Sequence, residues 1–379
     1  MLRRAIRLLL LRGVGAVARR FVRSSPQQAR RVLVIKPDHL GDVLLLTPAL
    51  RLLRQQQPDA EIALLIGPWS QVAVAHNADI DTTLLCSFPG FTRAARPRPW
   101  QPYGLLLKMA LLLRAGHYDA ALIARDDHWW GALLAMLAGI PLRLGFALPE
   151  TEPFLTTALP HSFSTHVTAQ NIRLVEALTG QPATKPPPMV APIGGRDRAW
   201  ATEWLTRHGV IPDAQIVALH PGAGGAAKLW IDARWSEVAD ALHERGYTVV
   251  LTGGPDEQAL VTSIVRAMAR HPLTLVGAAT IGQLAALYAR CALVLGVDSG
   301  PLHLAAACGV PTLALFGPGD AGRFGPWGDP QRQIVLRSGL WCSPCGVLDA
   351  CPRGTLPSEC MARISTAEVV ERISEQASR

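Results

Sequence analysis

Short apolar runs alternate with longer segments of helical periodicity along most of the chain. In the first half, VLVIK (32–36), IALLIG (62–67) and DAALIA (119–124) are typical of buried strands. Between the first two lies VLLLTPALRLLRQQ (43–56), which has the length and spacing of a helix. Strands that are separated by helices predict a parallel sheet with helices on both faces.

The same alternation starts again after a proline-rich interruption. KPPPMVAPIGG (185–195) contains four prolines and two glycines and is predicted to be a linker. Beyond it we predict strands at 216–220, 247–254, 273–277, 292–297 and 312–317, and helices at 235–246, 256–271 and 281–291. The chain is therefore predicted to form two doubly wound α/β domains, 31–184 and 196–379, that face each other across a cleft.

Size and charge fit this picture and single out the N-terminus. The chain has 379 residues, 49% hydrophobic and 17% charged, which suits two cores rather than one. The formal net charge is +8, and the first 31 residues contain nine arginines and no acid. Read as a helix, residues 1–30 place Leu8, Val17 and Phe21 on one side between arginines, which predicts an extension bound to an anionic membrane surface. A disordered basic extension is the alternative.

Neither a membrane span nor a nucleic-acid site is expected. No apolar stretch approaches the roughly 20 residues that cross a bilayer. The arginines lie at one end of the chain with a single aromatic residue, Phe21, so stacking platforms for bases are missing.

Four chemically distinct residues follow the strand predicted at 292–297. Asp298, Ser299, Gly300 and His303 lie where this strand gives way to a short helix. The free N–H groups at a helix N-terminus bind phosphate, and the serine and histidine add donors. We predict a diphosphate site here; simple capping of the helix is the alternative.

Two further loops follow strands of the second domain. PGAGGAAKLW (221–230) combines three glycines with Lys228, so the backbone can approach a ligand that the lysine then contacts. It has neither the P-loop nor the dinucleotide-binding spacing. After the next strand, Asp256 and Glu257 suit either ribose hydroxyls or the first turn of a helix.

The first domain offers Lys36 at a strand end and Gly41-Asp42 at a helix start. Asp42 is either a helix cap or a general base that deprotonates an attacking hydroxyl.

Together these segments resemble the heptosyltransferase family (glycosyltransferase family 9). The resemblance runs from about residue 31 to the C-terminus and rests on K-x4-GD-x5-PAL, HPGAGGAAKLW and D-S-G-P-x-H-L-A-A-A-x-G-x-P-x-x-A-L-F-G-P. It implies a GT-B fold with two Rossmann-like domains, and Asp42 as the catalytic base. The substrate-binding residues that it implies are Lys36, Gly41, Lys228, Glu257, Asp298, Ser299, Gly300 and His303. His166, at the start of a helix, matches the family only loosely.

The resemblance also implies the reaction and its setting. An inverting transfer of heptose from ADP-heptose to a lipopolysaccharide-core or related lipid-linked glycan is expected, on the cytoplasmic side of the inner membrane and without a catalytic cofactor. Transfer of another nucleotide-activated sugar and non-catalytic binding of a sugar nucleotide are the alternatives.

The remaining candidate ligands are cysteines and one pair of aspartates. Cys342, Cys345, Cys351 and Cys360 form C-x2-C-x5-C-x8-C, which suits a structural zinc ion in the segment 342–360; free thiols or redox pairing are the alternatives. Cys86, Cys291 and Cys308 lie in apolar segments and are predicted to be core residues. Asp79 and Asp81 form D-x-D, but they precede an apolar run and are predicted to lie in a loop and at a strand start.

Overall fold

The computed structural model describes Gly13, residues 29–92 and residues 100–377. The predicted membrane-binding extension, residues 1–30, lies almost entirely outside the described residues. The chain divides into two units that meet in sequence at Pro187 and Pro188. Two short segments, Leu40–Leu45 and Val72–His76, belong to the second unit although they precede this point. The domain boundaries inferred from the sequence remain predictions.

The first unit is built on a six-stranded parallel sheet with the order β3-β2-β1-β4-β5-β6. Its strands are β1 (Arg31–Lys36), β2 (Glu61–Ile66), β3 (Thr82–Leu85), β4 (Ala120–Ile123), β5 (Leu142–Phe146) and β6 (Thr157–Leu159). The helices of this half of the sequence are α1 (Leu40–Leu44), α2 (Thr47–Gln56), α3 (Gln101–Ala115), α4 (Trp129–Leu137) and α5 (Val167–Thr179); of these, α1 belongs to the second unit. Strand β1 is apolar on both faces because helices cover both sides of the sheet at its centre.

The second unit repeats this architecture with the order β12-β11-β10-β7-β8-β9, again all parallel. Its strands are β7 (Ile216–His220), β8 (Thr248–Gly253), β9 (Leu273–Val276), β10 (Leu293–Val297), β11 (Thr312–Leu315) and β12 (Gln333–Leu336). Its helices are α6 (Gly195–Arg207), α7 (Asp232–Glu244), α8 (Gln258–Ala267), α9 (Ile281–Tyr288), α10 (Gly300–Ala307), α11 (Ala321–Phe324), α12 (Glu359–Ala362) and α13 (Thr366–Ala377). The core of this unit includes Trp230 and Trp235, whose rings meet edge to face.

Each sheet has one point at which the strand order reverses direction. In the first unit β1 lies between β2 and β4, and in the second unit β7 lies between β8 and β10. Loops that leave neighbouring strands on either side of such a point diverge, and the crevice between them receives ligands. The predicted site residues follow β1, β7, β8 and β10, so they lie at these points or beside them.

The predicted doubly wound α/β fold is confirmed, and several of its elements differ locally from the prediction. The predicted helix 43–56 is two helices, because Pro48 has no N–H to donate and starts a new helix within its first turn. The predicted helix 256–271 begins as a tight 3-10 turn, Pro255–Glu257, and continues as α8. Strands β5, β6 and β12 were not predicted. Of these, β6 is only three residues long and β5 contains the charged residue Arg143.

In the described residues, no helix combines the length and the hydrophobicity that crossing a bilayer requires.

Candidate active site

At the reversal point of the first unit, three charged side chains meet behind the ends of β1 and β4. Lys36, the last residue of β1, pairs its Nζ with Oδ2 of Asp38 at 3.0 Å. Arg125, just after β4, pairs its guanidinium with the other carboxylate oxygen of Asp38. The side chains of Lys36 and Asp38 are 5% and 3% exposed, whereas that of Arg125 is 33% exposed. Two cations therefore share one buried carboxylate, and only the arginine reaches solvent.

The charges of this cluster hold Asp38 ionised. Burial by itself raises the pKa of the Asp38 carboxyl, but the charges of Lys36 and Arg125 outweigh burial and lower the pKa below its ordinary value. Burial also works against the charged form of Arg125, and Asp38 reverses that effect, so the pKa of the guanidinium is raised. Asp38 and Arg125 therefore both carry their charges at neutral pH.

Hydrogen bonds fix the loop that carries Asp38. Its carbonyl accepts from Nε1 of Trp69 at 3.1 Å and from Oγ of Ser70 at 2.5 Å. The Nζ of Lys36 also donates to the carbonyl of Ala124 at 3.0 Å. Lys36, which was predicted to bind sugar, is thus held by protein atoms in this structure and positions the two loops.

A buried histidine lies next to this cluster in sequence. His128 is 4% exposed and packs edge to face against Phe88 and Phe91. Burial lowers the pKa of His128 to about 3, so its imidazole is neutral at neutral pH. We assign His128 to the packing of this loop.

At the reversal point of the second unit, a lysine and an aspartate from two neighbouring loops meet. The Nζ of Lys228 donates to the carbonyl of Asp298 at 2.9 Å and to its Oδ2 at 3.2 Å. Lys228 ends the turn Ala226–Lys228 after β7, and Asp298 follows β10. The side chains of both residues are 14% exposed. Topology thus brings these two predicted residues together.

The start of α10 contains a hydroxyl that the fold leaves unused. Ser299 is the N-cap residue of α10, yet its side chain accepts no capping hydrogen bond. Its Oγ is buried and has no hydrogen-bond partner among the described residues. A buried hydroxyl without a partner costs about 1–3 kcal/mol. Capping, the alternative reading of this residue, is therefore wrong, and Ser299 is available to a ligand beside the helix N-terminus.

Helix α1 packs on α10 within the second unit, with glycine meeting glycine. A Cβ on Gly41 would lie 2.7 Å from Cδ2 of His303 and 3.4 Å from Cα of Gly300. A Cβ on Gly300 would lie 3.3 Å from Cδ2 of Leu40. Only residues without side chains allow the two backbones to come this close. This contact joins two predicted motifs, one with Asp42 in the first turn of α1 and the other with Ser299 at the start of α10.

Glu257 faces the loop that follows β7. Its Oε2 accepts from the backbone N–H of Gly254 at 2.7 Å, and a Cβ on Gly222 would lie 1.8 Å from its Oε1. Asp256, the alternative candidate, is exposed. Of the two acids, Glu257 is therefore the one that borders the glycine-rich loop.

Three buried polar side chains, those of His220, Thr252 and Tyr288, form a series of contacts that ends at Glu257. Nε2 of His220 lies 3.5 Å from Oε2 of Glu257, and its Nδ1 lies 3.0 Å from Oγ1 of Thr252. Thr252 in turn lies 2.9 Å from the hydroxyl of Tyr288. Burial lowers the pKa of His220, against the opposing charge of Glu257. The neutral, buried imidazole therefore lies against the carboxylate of Glu257 on its interior side.

The other predicted residues have structural surroundings. His166 caps α5, with its Nδ1 accepting from the N–H of Thr168 at 3.1 Å. Asp79 pairs with Arg51, and Asp81 pairs with Arg54 directly before β3, which confirms the predicted loop and strand start. Cys86 and Cys291 are buried as predicted, and Cys308 is half-buried.

The four clustered cysteines are not brought together as a metal site. Cys342, Cys345, Cys351 and Cys360 are all free thiols. Within the described ranges, no group of three or more histidine, cysteine or acidic side chains could hold a metal ion. The structure as described does not fit the predicted zinc ion, which remains a prediction alongside free thiols and redox pairing.

Comparison with known proteins decides the family. The model of glycosyltransferase family 9 (heptosyltransferase) matches residues 106–351. This chain belongs to glycosyltransferase family 9. Lipopolysaccharide heptosyltransferase 3 of Escherichia coli is 29% identical over 301 residues, which cover 78% of this chain and 85% of that relative.

Two solved structures show the same fold. The glycosyltransferase family 9 protein of Veillonella parvula is 25% identical with a TM-score of 0.80, and the match covers 94% of this chain and 99% of that one. The ADP-heptose lipopolysaccharide heptosyltransferase II of Escherichia coli is 21% identical with a TM-score of 0.72, covering 92% and 98%. The GT-B fold and glycosyltransferase activity expected from the sequence are therefore confirmed.

Sequence analysis missed three residues of the candidate site of this family 9 enzyme. Asp38 occupies one of the unspecified positions of K-x4-GD, and Arg125 follows the strand predicted at 119–124 without belonging to a motif. His220 is the last residue of a predicted strand. Their positions were a usable signal, but their pairing depends on strand order, which the sequence did not give.

Replacing Asp38 tests the charge cluster of the enzyme. Asp38→Asn leaves Lys36 and Arg125 without their shared counter-charge, so we expect a loss of about 3 kcal/mol in the free energy of unfolding at pH 7. The folded pKa of Asp38 is lowered, so its stabilisation is complete above the unfolded pKa of about 4 and disappears as pH falls through the folded value. Urea unfolding of both proteins from pH 7 to pH 3 should show the difference shrinking. The exposed Asp59 provides the control Asp59→Asn, and an equal loss there would contradict the assignment.

Replacing Gly41 tests the contact between α1 and α10. Gly41→Ala forces its methyl group into the ring of His303, which costs about 1–3 kcal/mol and displaces α1. A displacement of about 1 Å at a site costs on the order of 10²-fold in rate, so we expect transfer activity to fall by that factor. Gly195→Ala is the control, because a Cβ there meets nothing within 4 Å. Undiminished activity in Gly41→Ala would mean that the close packing is not needed.

Proposed function

We propose that this chain transfers heptose from ADP-heptose to a hydroxyl of a lipopolysaccharide core, with inversion at the transferred sugar and with Asp42 as the general base. The observation that carries the proposal is the glycine contact between α1 and α10. It supports a carboxylate and a diphosphate-binding turn acting in one reaction. A non-catalytic binding protein would need the turn but not the carboxylate.

The donor diphosphate would bind at the start of α10. The backbone N–H groups of the first helical turn and the positive end of the helix dipole favour an anion there. The buried Oγ of Ser299 supplies a further donor. The ammonium group of Lys228 pairs with the carboxylate of Asp298. When the donor binds, it would also contact the phosphates. Together these groups would stabilise the leaving ADP, so we propose that transfer needs no metal cofactor.

The sugar and ribose ends of the donor would contact two acids. Asp298, beside Lys228, would accept hydrogen bonds from hydroxyl groups of the transferred sugar. Glu257 would accept from ribose hydroxyls, since carboxylates at this place after a sheet strand hold ribose in related folds. His220, through its ring contact with Glu257, would orient this acid. Lys36 would act on the acceptor side through the loop that it fixes.

Asp42 would remove the proton from the attacking hydroxyl. It is half-buried, in the first turn of α1. The acceptor oxygen would then form a bond to the anomeric carbon as the bond to the diphosphate breaks, and the proton would pass to the carboxylate. Attack from the face opposite the leaving group inverts the configuration.

We also propose that the acceptor is lipid-linked and that the enzyme works on the cytoplasmic face of the inner membrane. The nine arginines within the first 31 residues support attachment to an anionic surface, since each basic side chain there contributes about 1 kcal/mol.

Replacing Asp42 tests the proposed function. Asp42→Asn cannot accept the proton, so we expect transfer to fall by about 10²–10⁴-fold while ADP binding, measured by calorimetry, stays within about threefold. Glu368→Gln is the control, because it changes an acid in the first turn of a helix, α13, away from the proposed site. Near-normal turnover in Asp42→Asn would exclude it as the base. Loss of ADP binding together with activity would point to a structural role.

Replacing Lys228 tests the diphosphate site. Lys228→Ala should weaken ADP binding by about 10–100-fold and adenosine binding little, because adenosine has no phosphate for the ammonium group to contact. Lys185→Ala, which removes an exposed lysine of the interdomain segment, should change neither affinity. Equal weakening of adenosine and ADP would mean that Lys228 supports the loop rather than the phosphates.

A further inference from the structure

Helix α3 is apolar on the side that faces the core and also on the side that faces solvent. Leu106, Met109, Ala110 and Leu113 are buried in the core of the first unit. On the outer side, Tyr103 is 60%, Leu107 60%, Leu111 68% and Leu112 48% exposed, and Trp100, directly before the helix, is 65% exposed. A helix that is apolar all round is normally covered all round.

This outer face concentrates the exposed apolar surface of the described residues. Five of the thirteen large hydrophobic side chains that are exposed there lie within residues 100–112. Tyr103, Leu107 and Leu111 are spaced four residues apart and form one stripe along the helix. Contiguous apolar surface of this kind marks an interaction site. We call Trp100, Tyr103, Leu107, Leu111 and Leu112 the α3 face.

The charges on α3 and in the sequence next to it favour an anionic partner for the α3 face. Residues 82–118 contain five lysines and arginines and no aspartate or glutamate. Of these cations, Lys108 and Arg114 lie on α3 itself and are exposed. If two copies of the chain packed through this face, Lys108 and Arg114 of one copy would lie opposite the same segment of the other, which contains no acid to pair with them. Self-complementary interfaces avoid such repulsion between like charges.

The residue types of the α3 face favour a lipid surface over an acidic protein. Tryptophan and tyrosine concentrate where apolar and aqueous phases meet, and here Trp100 and Tyr103 lie at the same end of the stripe. Leucines flanked by cations are the composition of helices that lie in the plane of an anionic membrane. We propose that the α3 face inserts into an anionic lipid surface, in addition to any attachment by residues 1–30. The inference does not depend on the transfer chemistry.

The test uses the full chain and vesicles of phosphatidylglycerol and phosphatidylcholine. Leu107→Asp/Leu111→Asp should need at least about tenfold more lipid for half-maximal sedimentation than the unchanged chain. Lys108→Gln should weaken binding to mixed vesicles and leave binding to pure phosphatidylcholine unchanged. Ile211→Asp is the control, because Ile211 is 68% exposed in the second unit and should leave binding unaltered. Circular dichroism and turnover on a soluble oligosaccharide, which should both be unchanged in the double variant, verify folding.

Three results would overturn the proposal. Equal sedimentation of the double variant and the unchanged chain would remove the α3 face from membrane binding. Loss of self-association, measured by light scattering, with unchanged vesicle binding would identify a second copy as the occupant. Faster proteolysis within residues 1–28 of the double variant, again with unchanged vesicle binding, would identify the N-terminal segment as the occupant. If the proposed transfer reaction were not found, the expected vesicle-binding results would stay the same, because sedimentation with vesicles does not require transfer.

Discussion

The proposed chemistry depends on how closely the backbone of α1 approaches that of α10. Gly41 and Gly300 lie at this contact, and the ring of His303 fills the space beside them. Because neither glycine has a side chain, the first turn of α1 can lie against the start of a helix more than 250 residues away in sequence. The same glycines that shape this packing belong to the two motifs that carry Asp42 and Ser299. Packing and chemistry therefore constrain the same few positions.

Within each unit, ion pairs of low solvent exposure keep the loops in place. Asp38 joins Lys36 to Arg125 in the first unit, and Asp298 holds Lys228 in the second. Buried pairs of this kind contribute little net stability, but they fix loop geometry because either partner alone would be costly to bury. Both pairs lie where strand order reverses, which is where a doubly wound sheet leaves room for a ligand. Within each unit, loops held in this way keep their geometry when a substrate binds, which a transferase needs in order to orient it.

The sequence predicted those parts of the molecule that depend on local pattern. Buried strands, the loops after them and the motif from Asp298 to His303 could be recognised because apolar runs and turn residues are contiguous in sequence. The Asp38–Arg125 pair and the support of Glu257 by His220 could not be predicted, because each joins loops or strands whose adjacency follows from strand order. Pro48 signals a helix break in the sequence, but the helical periodicity on both sides of it favoured the prediction of one continuous helix. The solvent exposure of the α3 face could not be predicted either, because an apolar helix has the same sequence pattern whether its outer side is covered or not.

The most direct measurement of the central claim is a transfer assay with the purified full chain, truncated lipopolysaccharide-core oligosaccharides and a panel of nucleotide sugars. Mass spectrometry would follow the acceptor, and nuclear magnetic resonance would give the anomeric configuration of the new linkage. The account predicts that ADP-heptose alone in the panel adds one heptosyl residue, with the configuration opposite to that of the donor. Transfer from a different nucleotide sugar, retention of configuration, or ADP binding without transfer to any core acceptor would contradict it.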